Sequence, residues 1–132
     1  MTHSFPVTVY YEDTDMGGIV YYANYLKFIE RARSTWVAEL GVDQLAMKDA
    51  GIVFAVRRVE ADYLAPARLG DELVVQTVVT GATPARWVLN QQVSRDGTVL
   101  FEAIVTIVAI GDGGQPVRLP AELRQFGPAR TH

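Results

Sequence analysis

The chain contains no cysteine and only two histidines, His3 and His132, which lie at its two ends. The first absence excludes disulfides, thiolate nucleophiles, iron–sulfur clusters and cysteine-ligated zinc. The second leaves a histidine triad or a multi-histidine metal centre to be built from frayed termini, a poor basis for either. Long apolar runs are also missing. The longest uncharged one, Ala103 to Gly111, falls far short of the roughly 20 residues that a membrane helix needs. The opening Met-Thr-His-Ser-Phe-Pro lacks the basic and apolar stretches of a signal peptide. Nor is positive charge in excess: 12 Lys and Arg stand against 15 Asp and Glu, for a net charge of −3. That balance offers no footprint for nucleic acid or for an anionic membrane. A cytoplasmic protein, with no nucleic-acid partner and no membrane insertion, is expected. Any chemistry falls to carboxylates, hydroxyls, backbone amides or a lysine or arginine.

What is present describes one globular domain over residues 1–132, with 49% hydrophobic and 20% charged residues. Phe5 to Glu12 alternates and is rich in β-formers, predicting a first strand, and Asp13 to Gly18 reads as a loop. From about Tyr22 the period changes: Tyr25, Ile29, Ala32, Trp36 and Leu40 recur at helical steps until Gly41 stops them. A short helix is predicted over Asp43 to Ala50, with Asp43 as its N-cap. Four strands follow, Phe54 to Leu64, Glu72 to Thr80, Arg86 to Arg95 and Thr98 to Ile110, the last pair joined through Asp96-Gly97. This is an α+β pattern: one dominant helix and an antiparallel sheet of about five strands. Pro116, Pro120 and Pro128 predict an extended C-terminal tail over about 116–132. Both alternating sets of the strand Thr98 to Ile110 are apolar, which predicts cover on both faces and hence a second subunit, in a dimer or tetramer.

One segment, Tyr11-Glu12-Asp13-Thr14-Asp15-Met16-Gly17-Gly18-Ile19-Val20-Tyr21-Tyr22, sets three acids and two glycines between a strand and a helix. Asp13 and Asp15 can be ordinary turn formers ahead of a helix N-terminus. A calcium loop fails, because Asn24 stands where a bidentate glutamate is needed. A phosphate-binding glycine loop fails on spacing and on the missing lysine. The remaining functional reading is a carboxylate beside backbone amides, an arrangement suited to acyl transfer because amides can hold a developing oxyanion.

The string from Tyr11 to Leu26, with Glu30-Arg31-Ala32-Arg33 behind it, resembles the hotdog-fold acyl-CoA thioesterases of the 4-hydroxybenzoyl-CoA thioesterase family. It is most similar to the branch associated with the bacterial Tol–Pal system. Phe54-Ala55-Val56-Arg57-Arg58 and Tyr63-Leu64-Ala65-Pro66-Ala67-Arg68 extend the likeness over about residues 7 to 110. The resemblance implies a hotdog fold, a long central helix wrapped by an antiparallel sheet, and hydrolysis of a small acyl- or aryl-CoA. It implies no cofactor, coenzyme A being part of the substrate, and a homodimer or homotetramer with the site between subunits. The catalytic carboxylate falls on Asp15, acting as nucleophile or as general base. The oxyanion-holding amide falls on Tyr22, where many members of the Tol–Pal branch carry histidine. Tyr11 occupies a position linked to that branch's active site, while Gly17, Gly18 and Ile19 are expected against the substrate.

Coenzyme A also brings phosphates that favour arginine. Arg57 and Arg58 are the first candidates, with Arg86 and Arg118 behind them. Glu30 is expected to pair with Arg31 or Arg33 on the helix, or to serve as a second carboxylate. The alternative function is a non-catalytic hotdog protein that binds an acyl group or an acyl carrier protein. Asp15 beside Gly17-Gly18 favours the enzyme, since mere binding needs no carboxylate near a thioester.

Overall fold

A computed structural model describes residues 2–126. The strands are β1 (Thr2–Thr8), β2 (Val53–Tyr63), β3 (Glu72–Ala82), β4 (Trp87–Arg95), β5 (Thr98–Ile110) and the two-residue β6 (Pro116–Val117). They form one antiparallel sheet in the order β1-β3-β4-β5-β2, with β6 paired to β5. The helices are α1 (Asn24–Glu39), α2 (Gln44–Asp49) and α3 (Ala121–Arg124). This is the hotdog arrangement, a sheet curled around one long helix.

Local chemistry accounts for the elements. Asp96 and Gly97 both take positive φ, 51° and 81°, as a type I′ turn between β4 and β5 requires. Asp43 caps α2 by accepting from the Leu45 and Ala46 N–H groups at 3.0 and 3.1 Å. The helical stripe of α1 is buried through Tyr25, Phe28, Ile29, Ala32, Trp36 and Val37. Its counterpart is the inward set of the sheet: Leu73 and Val75, then Trp87, Leu89 and Val93, then Phe101, Ala103 and Val105. Each fully buried large side chain contributes about 1.5–3 kcal/mol. Arg33 joins this buried face, which the apolar stripe alone does not foretell.

Two expectations need correction. The first strand ends at Thr8 rather than Glu12, because the Asp13 carboxylate takes the Tyr10 N–H at 2.9 Å and Tyr11–Asp13 winds into a 3-10 turn. Local side-chain bonding has outcompeted the ladder there. The C-terminal segment is no extended tail as far as residue 126. The Leu119 N–H bonds the Pro84 carbonyl at 2.9 Å, and Leu119 and Leu123 are fully buried. Phe126 packs on Trp36 and Trp87, with ring centroids at 5.7 and 6.3 Å. Pro128 and His132 lie outside the described residues. Pro116 opens β6 and Pro120 is the N-cap of α3.

β2 is an edge strand whose Val53, Val56, Val59 and Tyr63 are exposed in a single protomer. On β5 the Phe101, Ala103, Val105 set is buried, while Ile104 on the other face is 41% exposed.

Candidate active site

The acidic loop is held from inside by Asp13, which is buried. Besides the bond from Tyr10, its backbone carbonyl accepts from the Tyr21 N–H at 3.0 Å and from Asn24 Nδ2 at 2.8 Å. One residue thereby ties the end of β1 to the start of α1. Asp15, two residues on, is exposed. Its N–H donates to the Ile19 carbonyl, and its own carbonyl accepts from the Gly18 N–H, both at 3.0 Å. Its Oδ1 accepts from the Gly17 N–H at 2.9 Å. A Cβ on residue 17 would stand 3.2 Å from that oxygen, and Gly18 has φ of 77°, so both glycines suit the turn. Ile19 bridges to Arg68, and the Val20 N–H bonds the Ala67 carbonyl at 2.8 Å, fastening the loop to the segment before β3.

Tyr22 lies two residues ahead of α1, whose N-cap is Ala23. The helical period that begins at about Tyr22 in the sequence thus becomes regular helix only from Asn24. Among the described residues no acceptor meets the Tyr22 or Ala23 N–H, as is usual for the first donors of a helix. The Tyr22 carbonyl accepts from the Tyr63 hydroxyl at 3.1 Å. Tyr63 in turn sits edge-on to Tyr25 and Phe101, at 5.7 and 5.0 Å, and Tyr25 stacks on Phe101 at 4.8 Å. The Tyr25 oxygen accepts from the Ala67 N–H at 3.1 Å. Burial pushes the pKa of both Tyr25 and Tyr63 above the ordinary phenol value, so both stay protonated at neutral pH. These aromatics form a floor beneath Tyr22. Tyr63 and Asn24 fall within segments that carry the family resemblance, but the bonds that give them these roles exist only across the fold.

The other expected residues are scattered. Tyr11 is on the 3-10 turn and 82% exposed; its carbonyl accepts from Thr14, and its phenol makes no hydrogen bond among the described residues. Arg57 lies at a bulge of β2 and Arg58 beside it pairs with Glu60 at 3.3 Å. Among the described residues neither side chain forms a hydrogen bond or ion pair with the Asp15 loop. Arg86 starts at the β3–β4 turn, its N–H on Thr83 Oγ1 at 3.1 Å, and Arg118 lies between β6 and α3. Glu30 forms no ion pair with Arg31 or Arg33 among the described residues and accepts instead from Ser34 Oγ at 3.3 Å. Helical spacing permits that pair, but Arg33 turns inward. Among the described residues no group of three or more His, Asp or Glu side chains is placed to hold a metal, and no helix is long and apolar enough to cross a membrane.

A hotdog sheet, an acidic loop with an outward carboxylate and free amides at the start of the long helix are the marks of a thioesterase-type fold. The chain belongs to the thioesterase-like superfamily, whose family model matches residues 9–127. It is 38% identical over 123 residues to the acyl-CoA thioesterase YbgC of Haemophilus influenzae, covering 92% of this chain and 90% of that one. It is 42% identical over 106 residues to the acyl-CoA thioester hydrolase YbgC of Escherichia coli, covering 80% and 79%. A crystal structure of a probable thioesterase from Bartonella henselae superposes with a TM-score of 0.86 at 32% identity, covering 91% of this chain and all of that one.

Proposed function

We propose that this protein hydrolyses acyl-CoA thioesters, with Asp15 as the working carboxylate and the Tyr22 N–H as the oxyanion donor. The observation that carries the reading is the pair of hydrogen bonds that the Asp13 carbonyl accepts, from the Tyr21 N–H and from Asn24 Nδ2, which ties the Asp15 loop to the start of α1. The naming of the Haemophilus influenzae and Escherichia coli relatives as acyl-CoA thioesterases supports the same chemistry.

A thioester suits a site without histidine. Its carbonyl is weakly resonance-stabilised and its thiolate leaves without needing a proton. Two routes use the same geometry. In one, an Asp15 oxygen attacks the carbonyl carbon, the C–S bond breaks, and water then cleaves the mixed anhydride. In the other, Asp15 takes a proton from a water that attacks the carbonyl carbon, and the tetrahedral intermediate collapses with the C–S bond breaking and the thiolate of coenzyme A leaving. In both, charge gathers on the carbonyl oxygen, where an amide N–H is worth about 2.7–4 kcal/mol. The Tyr22 side chain is not required for that. Gly17, Gly18 and Ile19 leave the loop low enough for a substrate to cross it, and Tyr11 flanks it as a wall.

The unit is proposed to work as a dimer or a dimer of dimers, joined through β2. That strand is an open edge with Val53, Val56 and Val59 exposed, a combination that proteins rarely leave uncovered. It also carries Arg57 and Arg58, which puts cationic groups at the seam, where the phosphates of coenzyme A want them.

A panel of acyl- and aryl-CoA thioesters, followed by thiol release, tests the reading. The absence of cysteine from the chain means that a thiol reagent sees only the released coenzyme. Turnover of at least one thioester that disappears in Asp15→Asn is the expected result; no turnover above the Asp15→Asn background across the panel refutes the function.

A further inference from the structure

The peptide bond between Tyr22 and Ala23 is held on one side only. Its carbonyl accepts from the Tyr63 hydroxyl at 3.1 Å, while among the described residues no acceptor meets its Ala23 N–H. The peptide before it is arranged in the same way. There the Tyr21 carbonyl accepts from the Asn24 N–H at 2.8 Å, and the Tyr22 N–H is the free side. Neither peptide is cis, and a trans peptide is planar with its C=O and N–H on opposite sides. Fixing the oxygen therefore fixes the direction of the hydrogen. The backbone aims the first amide, and a side chain forty-one residues away aims the second.

The Tyr63 hydroxyl is itself held in place. Tyr63 ends β2 opposite Phe101, and the N–H groups of Leu64 and Ala65 both bond the Leu100 carbonyl, at 2.8 and 3.1 Å. Its ring stands edge-on to Tyr22, Tyr25 and Phe101, with centroids 6.1, 5.7 and 5.0 Å away. In a regular α-helix the Tyr22 oxygen would take the Leu26 N–H, four residues on. Here that N–H goes to the Ala23 carbonyl at 3.1 Å, which leaves the Tyr22 oxygen to Tyr63. Both tyrosines are exposed, so water would serve this carbonyl nearly as well and the bond adds little to stability. What it does fix is the orientation of the peptide. It also draws electrons toward the carbonyl oxygen, which makes the N–H of the same peptide a stronger donor.

We propose that Tyr63 is a positioning residue of the oxyanion site: by holding the Tyr22 carbonyl it orients and strengthens the Ala23 N–H, which joins the Tyr22 N–H on the developing oxyanion. This role rests on the thioester reading above and adds to it a second donor with its support. Tyr63 acts through the peptide and not on the reacting atoms. An oxygen gathering a full charge accepts two such donors readily, and donors fixed beforehand need no reorganisation when the charge appears.

Steady-state kinetics on the intact protein, with the panel thioester that it turns over best, test the role. Tyr63→Phe removes one oxygen and keeps the ring. It should lower kcat about tenfold, the worth of one hydrogen bond, with KM and light-scattering mass unchanged. Ala23→Pro deletes the second amide at a residue whose φ of −70° proline shares, and should cost about 10²–10³ in kcat. Added to Ala23→Pro, Tyr63→Phe should cost no more than about twofold, because the peptide it serves has no N–H left. A merely structural Tyr63 gives equal losses in both backgrounds, and that result overturns the proposal. So does an unchanged kcat in a folded Tyr63→Phe, or a raised KM with kcat kept, which would make Tyr63 a wall of the pocket.

A second readout needs binding but no turnover. In Asp15→Asn, the infrared stretch of an isotope-labelled, bound thioester carbonyl should move to higher frequency when Tyr63→Phe is added, and an unmoved band overturns the role. Should Tyr63→Phe or Ala23→Pro fail to fold by circular dichroism, Tyr63→fluorotyrosine decides. It keeps the shape with a stronger donor, so the same band should move to lower frequency; no movement overturns the role. Turnover that vanishes in Asp15→Asn but ignores Tyr63→Phe sinks this inference alone, whereas a protein that binds no thioester sinks the hydrolysis with it.

Discussion

The side-chain amide of Asn24 donates to the backbone carbonyl of Asp13 at 2.8 Å, and the Tyr21 N–H meets the same oxygen at 3.0 Å. The first residue of the long helix thus grips the centre of the acidic loop. A division follows between the two aspartates. Asp13 is turned inward with its Oδ2 accepting the Tyr10 N–H; Asp15 is turned outward with its Oδ1 accepting the Gly17 N–H.

Asp15→Asn should remove most thioester turnover, by a hundredfold or more, with an unchanged melting profile. The amide keeps the shape but is neither nucleophile nor useful base. Asp13→Ala should show the opposite balance, losing about 0.5–2 kcal/mol of stability as a cap is lost. Kinetics and thermal melts on both variants check the pair; comparable activity losses at equal stability would remove the distinction.

Tyr22→Phe should leave turnover nearly unchanged, because the phenol makes no hydrogen bond among the described residues. Tyr22→Pro deletes the N–H and should cost about 10²–10³ in kcat. Since Tyr22 precedes the helix, proline there need not break it. A folded Tyr22→Pro with normal kcat would exclude the amide from the mechanism.

Alkaline stability should report on Tyr25. Its folded pKa is raised above the ordinary 10.0 by burial, so the native state holds a proton that the unfolded chain gives up more readily. The resulting stability is complete below about pH 10 and is lost as pH rises through the folded value. Urea titrations between neutral pH and pH 11 should show this decline in the parent protein and a shallower one in Tyr25→Phe. Equal slopes would show that the phenol is not the titrating group.

Val59→Asp tests the β2 seam. A charge on the exposed edge strand should halve or quarter the light-scattering mass while the melt of the single protomer persists. A parent protein with the mass of one chain at micromolar concentration would contradict the assembly from the start.

Much of the fold is written in local pattern. The stripe Tyr25, Ile29, Ala32 and Trp36 is buried as its spacing predicts, and Asp96-Gly97 turns as that dipeptide should. The departures lie where tertiary bonds decide. Tyr10 and Tyr11 have strand propensity, yet the Asp13 carboxylate takes the Tyr10 N–H and ends the ladder. Leu119 and Leu123 sit among prolines that suggest a loose tail, yet both are fully buried, and Phe126 behind them packs on Trp36 and Trp87. Of the candidate site, the Asp15 loop and the free Tyr22 amide were legible because motif and helix start are contiguous. Tyr63 and Arg33 stand in the motif segments, yet their partners, the Tyr22 carbonyl forty-one residues away and Gln91 Oε1 fifty-eight away, are set only by the fold.

The strand order β1-β3-β4-β5-β2 carries a kinetic consequence. β3, β4 and β5 form a meander of sequential neighbours, closed by short turns, and can assemble on local contacts alone. The loop and α1 belong instead to the stretch that runs from one outermost strand to the other, so their closure over the meander bears the larger loop entropy. In refolding from denaturant, sheet ellipticity should therefore recover before thioester turnover, and simultaneous recovery would argue for a single concerted nucleus. A chain arrested between the two events would have most of its hydrogen-bonded sheet and an open apolar surface where α1 belongs, the form most exposed to aggregation.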